Sequence, residues 1–144
     1  MIKVVKADKS HIARLVSIGK QNWPDEKWIT AAYLDQTLKN KGPHFVALLE
    51  DRVIGGIMVS EEAHPRSWLF YFAVDKSHQR RGIGSLLLKK VESKMKKSSM
   101  LFTDLEKKDK KGLAFYMKHR FKIVGQVNGW YEGGRKSLVL AKKI

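Results

Sequence analysis

Apolar and polar residues alternate over residues 2–6 in the manner of a strand, and the spacing then turns helical. Asp8 is placed to cap a helix whose apolar face carries Ile12, Leu15 and Val16. Asn22-Trp23-Pro24-Asp25 breaks that pattern, and Asp25 is expected to start a second helix through about Leu38, ended by Gly42-Pro43. Residues 45–50 and 53–60 read as two strands joined at Asp51-Arg52. Residues 68–74 are apolar almost without a break, as in a strand covered on both faces. A polar loop over residues 75–79 leads into a long helix from about Gly82 to Lys97. Its expected buried stripe is Ile83, Leu86, Leu87, Val91 and Met95, with Lys89, Lys90, Lys94, Lys96 and Lys97 on the wet side. A strand follows over residues 100–105, and Asp109 can cap a short helix over residues 110–119. Strands over residues 121–127 and 137–141 close the chain around the turn Glu132-Gly133-Gly134. The predicted order is βααβββαβαββ, an α/β fold with a mixed sheet and helices on its faces.

Composition narrows the classes. With no low-complexity linker, repeat or composition break, residues 1–144 read as one domain. No apolar run approaches the ~20 residues that span a bilayer, and residues 1–6 are too short a patch for a signal peptide, so no membrane role is expected. Cysteine is absent, which excludes disulfides and thiolate chemistry and makes a cytoplasmic location the expectation. Lys and Arg number 29 against 14 Asp and Glu, a net charge of +15. Such a field attracts nucleic acid, acidic protein or a phosphorylated cofactor, and a solvated lysine-rich surface produces the same number. No residue cluster suits a metal. Monomer and homodimer are both compatible with the sequence.

The stretch Val74-Asp75-Lys76-Ser77-His78-Gln79-Arg80-Arg81-Gly82-Ile83-Gly84-Ser85 carries the chemistry. A buried strand ends, a basic loop turns, and two glycines open a helix. Helix N-termini leave N–H groups unpaired and carry partial positive charge, and glycine lets that backbone approach a ligand. Together they make a pyrophosphate cradle, to which Arg80 and Arg81 add charge. No Gly-Lys-Ser/Thr follows, and position 87 is Leu, so neither the P-loop nor the dinucleotide fingerprint is met.

The string resembles the acetyl-CoA motif of GNAT-superfamily N-acetyltransferases, an apolar strand ending "AVD" followed by Q/R-x-x-G-x-G/A, met by Ala73-Val74-Asp75 and Gln79 to Gly84. A second stretch, Asp109 to Phe121, is similar to the family's "N-x-x-A-x-x-x-Y-x-x-x-G-F", with Tyr116 and Phe121 in register, Asp109 in place of Asn, Gly112 in place of Ala and Arg120 in place of Gly. The resemblance implies the GNAT acyl-CoA N-acyltransferase fold and acetyl-CoA as co-substrate, with no metal. The N–H groups of Arg80, Arg81, Gly82, Ile83, Gly84 and Ser85, after Gln79, would hold the pyrophosphate. The backbone of Phe72, Ala73 and Val74 would pair with the pantetheine arm, in a slot opened by a splay between this strand and the next. Asp109 would touch the cofactor or simply cap its helix.

Tyr116 would protonate the departing thiolate, since a phenol of pKa ~10 is protonated at neutral pH, the other reading being a tyrosine packed in the core. Asp104 stands where ribosomal-protein alanine N-acetyltransferases carry an acidic residue. It would take the amine's proton directly or through water, or else pair with a nearby lysine. Glu61 and Glu62 are weaker bases in this reading, and His78 and His119 surface residues. Trp130 and Tyr131 resemble the aromatics with which those enzymes grip the acceptor peptide, while Arg135 and Lys136 in place of an acidic residue would favour an acidic acceptor. The acceptor expected first is a protein or peptide amine. A small-molecule amine and a catalytically inactive module for nucleic acid or acidic protein are the alternatives.

Overall fold

The computed structural model describes residues 1–144. The elements are β1 (Ile2–Lys6), α1 (Ile12–Asn22), α2 (Ala31–Lys39), β2 (His44–Leu49), β3 (Arg52–Glu61), β4 (Arg66–Val74), α3 (Ile83–Lys94), β5 (Met100–Glu106), α4 (Lys110–Lys118), β6 (Lys122–Val127) and β7 (Ser137–Lys143). This is the expected order, and the seven strands form one mixed sheet ordered β1-β2-β3-β4-β5-β7-β6. No helix is long and apolar enough to cross a membrane. The chain divides into two compact units, residues 1–62 with 69–95, and residues 63–68 with 96–144.

In the first unit β1, β2 and β3 form an antiparallel meander. Its hairpin turns at Glu50 and Asp51, both at positive φ, one residue earlier than the sequence suggested. Asp8 and His11 make a reciprocal cap on a 3-10 turn that runs into α1. Ile12, Leu15 and Ile18 then fall on one face and pack with Leu34, Val46, Met58 and Tyr71. The Tyr71 hydroxyl donates to the Leu15 carbonyl at 2.6 Å, fastening α1 to β4.

Three local expectations change here. α2 begins at Ala31 rather than Asp25, because Thr30 supplies the capping oxygen to Tyr33 N–H. The intervening residues are held by aromatic contacts, Trp23 with Trp28 and Tyr71 and Trp28 with Tyr33, and that packing prevails over the capping preference of Asp25. β4 is not covered equally on both faces: Ser67, Leu69, Tyr71 and Ala73 are buried, and Trp68, Phe70, Phe72 and Val74 half-buried. On α3 the stripe is Ile83, Leu87, Leu88 and Val91, with Leu86 turned outward at 45% exposure.

In the second unit β5 pairs antiparallel with β7 along its whole length, β7 pairs with β6, and Arg66–Trp68 of β4 run parallel to Met100–Phe102. β5 alternates strictly. Leu101, Thr103 and Leu105 are buried, and Met100, Phe102, Asp104 and Glu106 half-buried. α4 covers the first set: a Cβ on Gly112 would lie 2.7 Å from Leu105, and Tyr116 packs edge-on against Phe121.

Candidate active site

The basic loop of the first unit is braced from α1. Asp75 follows β4, and its carboxylate accepts from the Ser77 hydroxyl at 2.8 Å, sits 2.7 Å from His78 Nδ1 and lies 3.3 Å from the Arg14 guanidinium. Its N–H donates to the Ile54 carbonyl. Asn22, the last residue of α1, donates to the Val74 carbonyl and accepts from the Gln79 amide, both at 3.1 Å. Gln79 also donates to the Val74 carbonyl. Both lone pairs of that carbonyl are therefore used within the loop, so of the Phe72–Val74 backbone this oxygen is not the one left for a ligand. The Gln79 amide nitrogen thus donates both to α1 and to the end of β4. His78, expected at the surface, is half-buried as a partner of Asp75.

Burial raises the Asp75 pKa, but hydrogen bonds from Ser77, His78 and Gln21 and the charge of Arg14 outweigh it and hold the carboxyl at about 2. The folded state thus favours the ionised form. This stabilisation is complete above the ordinary carboxylate value and is lost as pH falls through about 2. Asp75→Asn is expected to be less stable than the parent by about 1–3 kcal/mol near neutrality. In thermal melts at decreasing pH, the gap should narrow below about pH 4. A gap that stays constant down to the acid limit would contradict the assignment.

The loop ends at an open helix start. Gly82 is the N-cap of α3, left-handed at φ 77°, and no side chain caps the helix. A Cβ at Gly82 would meet nothing within 4 Å. Arg80, also left-handed, and Arg81 are exposed beside it. An uncapped helix start, open space and two guanidinium groups suit a pyrophosphate. Ile83 faces inward at 1% exposure, anchoring the helix, while Gly84 and Ser85 are half-buried in its first turn.

The second unit holds the groups proposed for proton transfer, on opposite faces of β5. On the α4 side Tyr116 is buried at 8% exposure and shares a side-chain hydrogen bond with Thr103. Burial pushes the phenol above its ordinary value and the negative charges of Asp104 and Asp109 push it further, while Thr103 opposes them. Tyr116 is therefore protonated at neutral pH. Asp109 caps α4, accepting from Gly112 N–H at 2.8 Å. Lys107, Lys108, Lys110 and Lys111 are exposed around that helix start.

On the other face, Asp104 Oδ2 accepts from the Tyr131 hydroxyl at 2.7 Å and from the Trp130 indole N–H at 3.1 Å. Trp68 stacks between Phe102 and Trp130, at 6.2 and 6.4 Å between ring centroids. Arg135 binds Glu106 at 3.0 Å, donates to the Glu132 carbonyl and lies over the Tyr131 ring. Being engaged inside the hairpin, Arg135 is not presented to an acidic acceptor as the sequence suggested, whereas Lys136 remains exposed. The structure thus gathers Asp104, Trp130 and Tyr131 into one cluster. Trp68 joins that cluster, and Thr103 beside Tyr116 and Asn22 behind the phosphate loop are further residues that sequence reasoning did not single out. Glu61 is half-buried beside Lys41, and the His119 ring stacks on Phe115.

The family model for the acetyltransferase (GNAT) family matches residues 11–121. No curated protein sequence matches the chain. Ard1 from Thermoplasma volcanium superposes with a TM-score of 0.89 at 19% identity, over 99% of this chain and 97% of that one. The ribosomal-protein-S18-alanine N-acetyltransferase from Escherichia coli gives 0.86 at 16% identity, over 100% and 94%. Arabidopsis thaliana Naa50, in complex with the bisubstrate analogue CoA-Ac-MVNAL, gives 0.83 at 18% identity, over 99% of each chain. At these identities the likeness is one of fold.

Proposed function

The chain belongs to the GNAT acetyltransferase family and is an acetyl-CoA-dependent N-acetyltransferase, and we propose that it acetylates the amine of a protein or peptide by direct attack in a ternary complex. The observation that carries this reading is the placement of Asp104 and Tyr116 on opposite faces of one strand. Acetyl-CoA supplies a thioester carbonyl open to an amine and a thiolate that must leave. Asp104, directly or through water, takes the proton the amine sheds as its C–N bond forms. Tyr116 gives its proton to the sulfur as the C–S bond breaks, and solvent returns the proton balance from one group to the other. The backbone from Arg80 to Ser85, with the two arginines, holds the pyrophosphate.

Two observations favour a peptide. The Asp104 carboxylate is bound to an aromatic pair, Trp130 and Tyr131, of the kind that can flank an extended chain. The unit that carries them has 14 Lys and Arg against 4 Asp and Glu, a field that slows the approach of polycationic small amines. The similar structures named for an alanine of a ribosomal protein and for a peptide analogue point the same way. An α-amine is the easier acceptor, because at pKa ~7.7–8.0 it is already partly neutral where a lysine at ~10.4 is not. In turnover assays of hexapeptides with free α-amines beside spermidine, peptide kcat/KM is expected to exceed that for spermidine by about tenfold or more. Preference for spermidine at both low and high salt would overturn the peptide assignment.

A further inference from the structure

Thr103 lies between Leu101 and Leu105 on the face of β5 that α4 covers, at 2% exposure. A valine has the same shape and would fill that apolar row without a polar atom. A hydroxyl there costs free energy unless it is hydrogen-bonded, and Tyr116, the buried residue of the helix that covers this face, shares a side-chain hydrogen bond with it. We propose that Thr103 is a positioning residue for Tyr116, its hydroxyl donating to the phenol oxygen so that the phenol's own proton is directed to the leaving sulfur. The inference rests on the reading of Tyr116 as the acid.

The chemistry gives that bond a purpose. When the C–S bond breaks and the C–N bond forms, the sulfur takes the Tyr116 proton and an electron pair remains on the phenol oxygen. The amine's proton leaves toward Asp104 or water. The groups around the phenol mostly oppose this charge: the site is buried, Asp104 is on the same strand, and Asp109 caps the helix that carries Tyr116. The Thr103 hydroxyl is the neighbour that stabilises it, and a hydrogen bond to a charged oxygen is worth more than one to a neutral oxygen.

The experiment compares Thr103→Val, Thr103→Ser and Tyr116→Phe, alone and with Thr103→Val added to Tyr116→Phe. The best-turned-over peptide of the hexapeptide series serves as acceptor, and acetyl-CoA affinity is measured separately. Thr103→Val is expected to lower kcat by about tenfold to a hundredfold with acetyl-CoA affinity unchanged. Thr103→Ser should restore most of the rate, and Thr103→Val should add nothing once the phenol is gone. An unchanged kcat in Thr103→Val, equal losses in the valine and serine variants, or a full further loss in the double variant would each overturn the proposal. A Tyr116→Phe enzyme with the parent rate would instead remove the acid role on which the proposal stands.

Discussion

Tyr116→Phe lowers kcat by about a hundredfold or more while acetyl-CoA affinity stays within about a factor of two. The substitution removes one oxygen and leaves the ring. Contacts with Phe121 at 5.0 Å and Phe115 at 5.7 Å between centroids are apolar and persist, so the ring keeps its place. What disappears is the proton donor and the partner of Thr103, whose hydroxyl is then left buried at a cost of about 1–3 kcal/mol in stability. The loss falls on kcat because the sulfur needs that proton only as the C–S bond breaks. Steady-state kinetics with the best peptide, beside a thermal melt to verify folding, reads the effect directly. A parent-like kcat would reduce Tyr116 to a core tyrosine, a reading its burial alone would also allow.

The sequence made legible what local pattern controls. The element order and the glycine loop after residues 73–75 follow from periodicity and from a run of residues with one physical purpose. Tyr116 was found through its register within a short stretch. The remainder depends on side chains that meet across long separations. Asp104 and its partners are 26 and 27 residues apart, and Gln79 and Asn22 are 57 apart, so no local window contains either pair. Asn22 and Asp75 read as a helix break and a loop residue, although together they fix the shape of the phosphate loop. Thr103 looked like one more strand residue. Only its position just before Asp104 in an alternating strand could have hinted that it faces the opposite side. The start of α2 was misplaced because Trp28 packs on Trp23 and Trp23 on Tyr71, about 50 residues away, and no capping preference encodes such a contact.

The largest effect on cofactor binding is expected from Gly82→Trp. Gly82 is exposed and left-handed, so any side chain there adds strain of about 1–2 kcal/mol. The space beyond its Cα is open, so the indole meets no protein atom at the point of attachment and the fold can accept it. That same space, at the uncapped start of α3 next to Arg80 and Arg81 in the chain, is where a pyrophosphate would lie. Filling it blocks the anion and leaves Asp104, Tyr116 and the aromatic hairpin unaltered in sequence. The direct measurement is calorimetric titration of the parent protein and of folded Gly82→Trp with acetyl-CoA. Binding by the parent at about micromolar Kd, weakened by about a hundredfold or more in the variant, is the predicted result. No binding by the folded parent protein, or equal binding by both, would contradict the assignment of the helix start as the acetyl-CoA site.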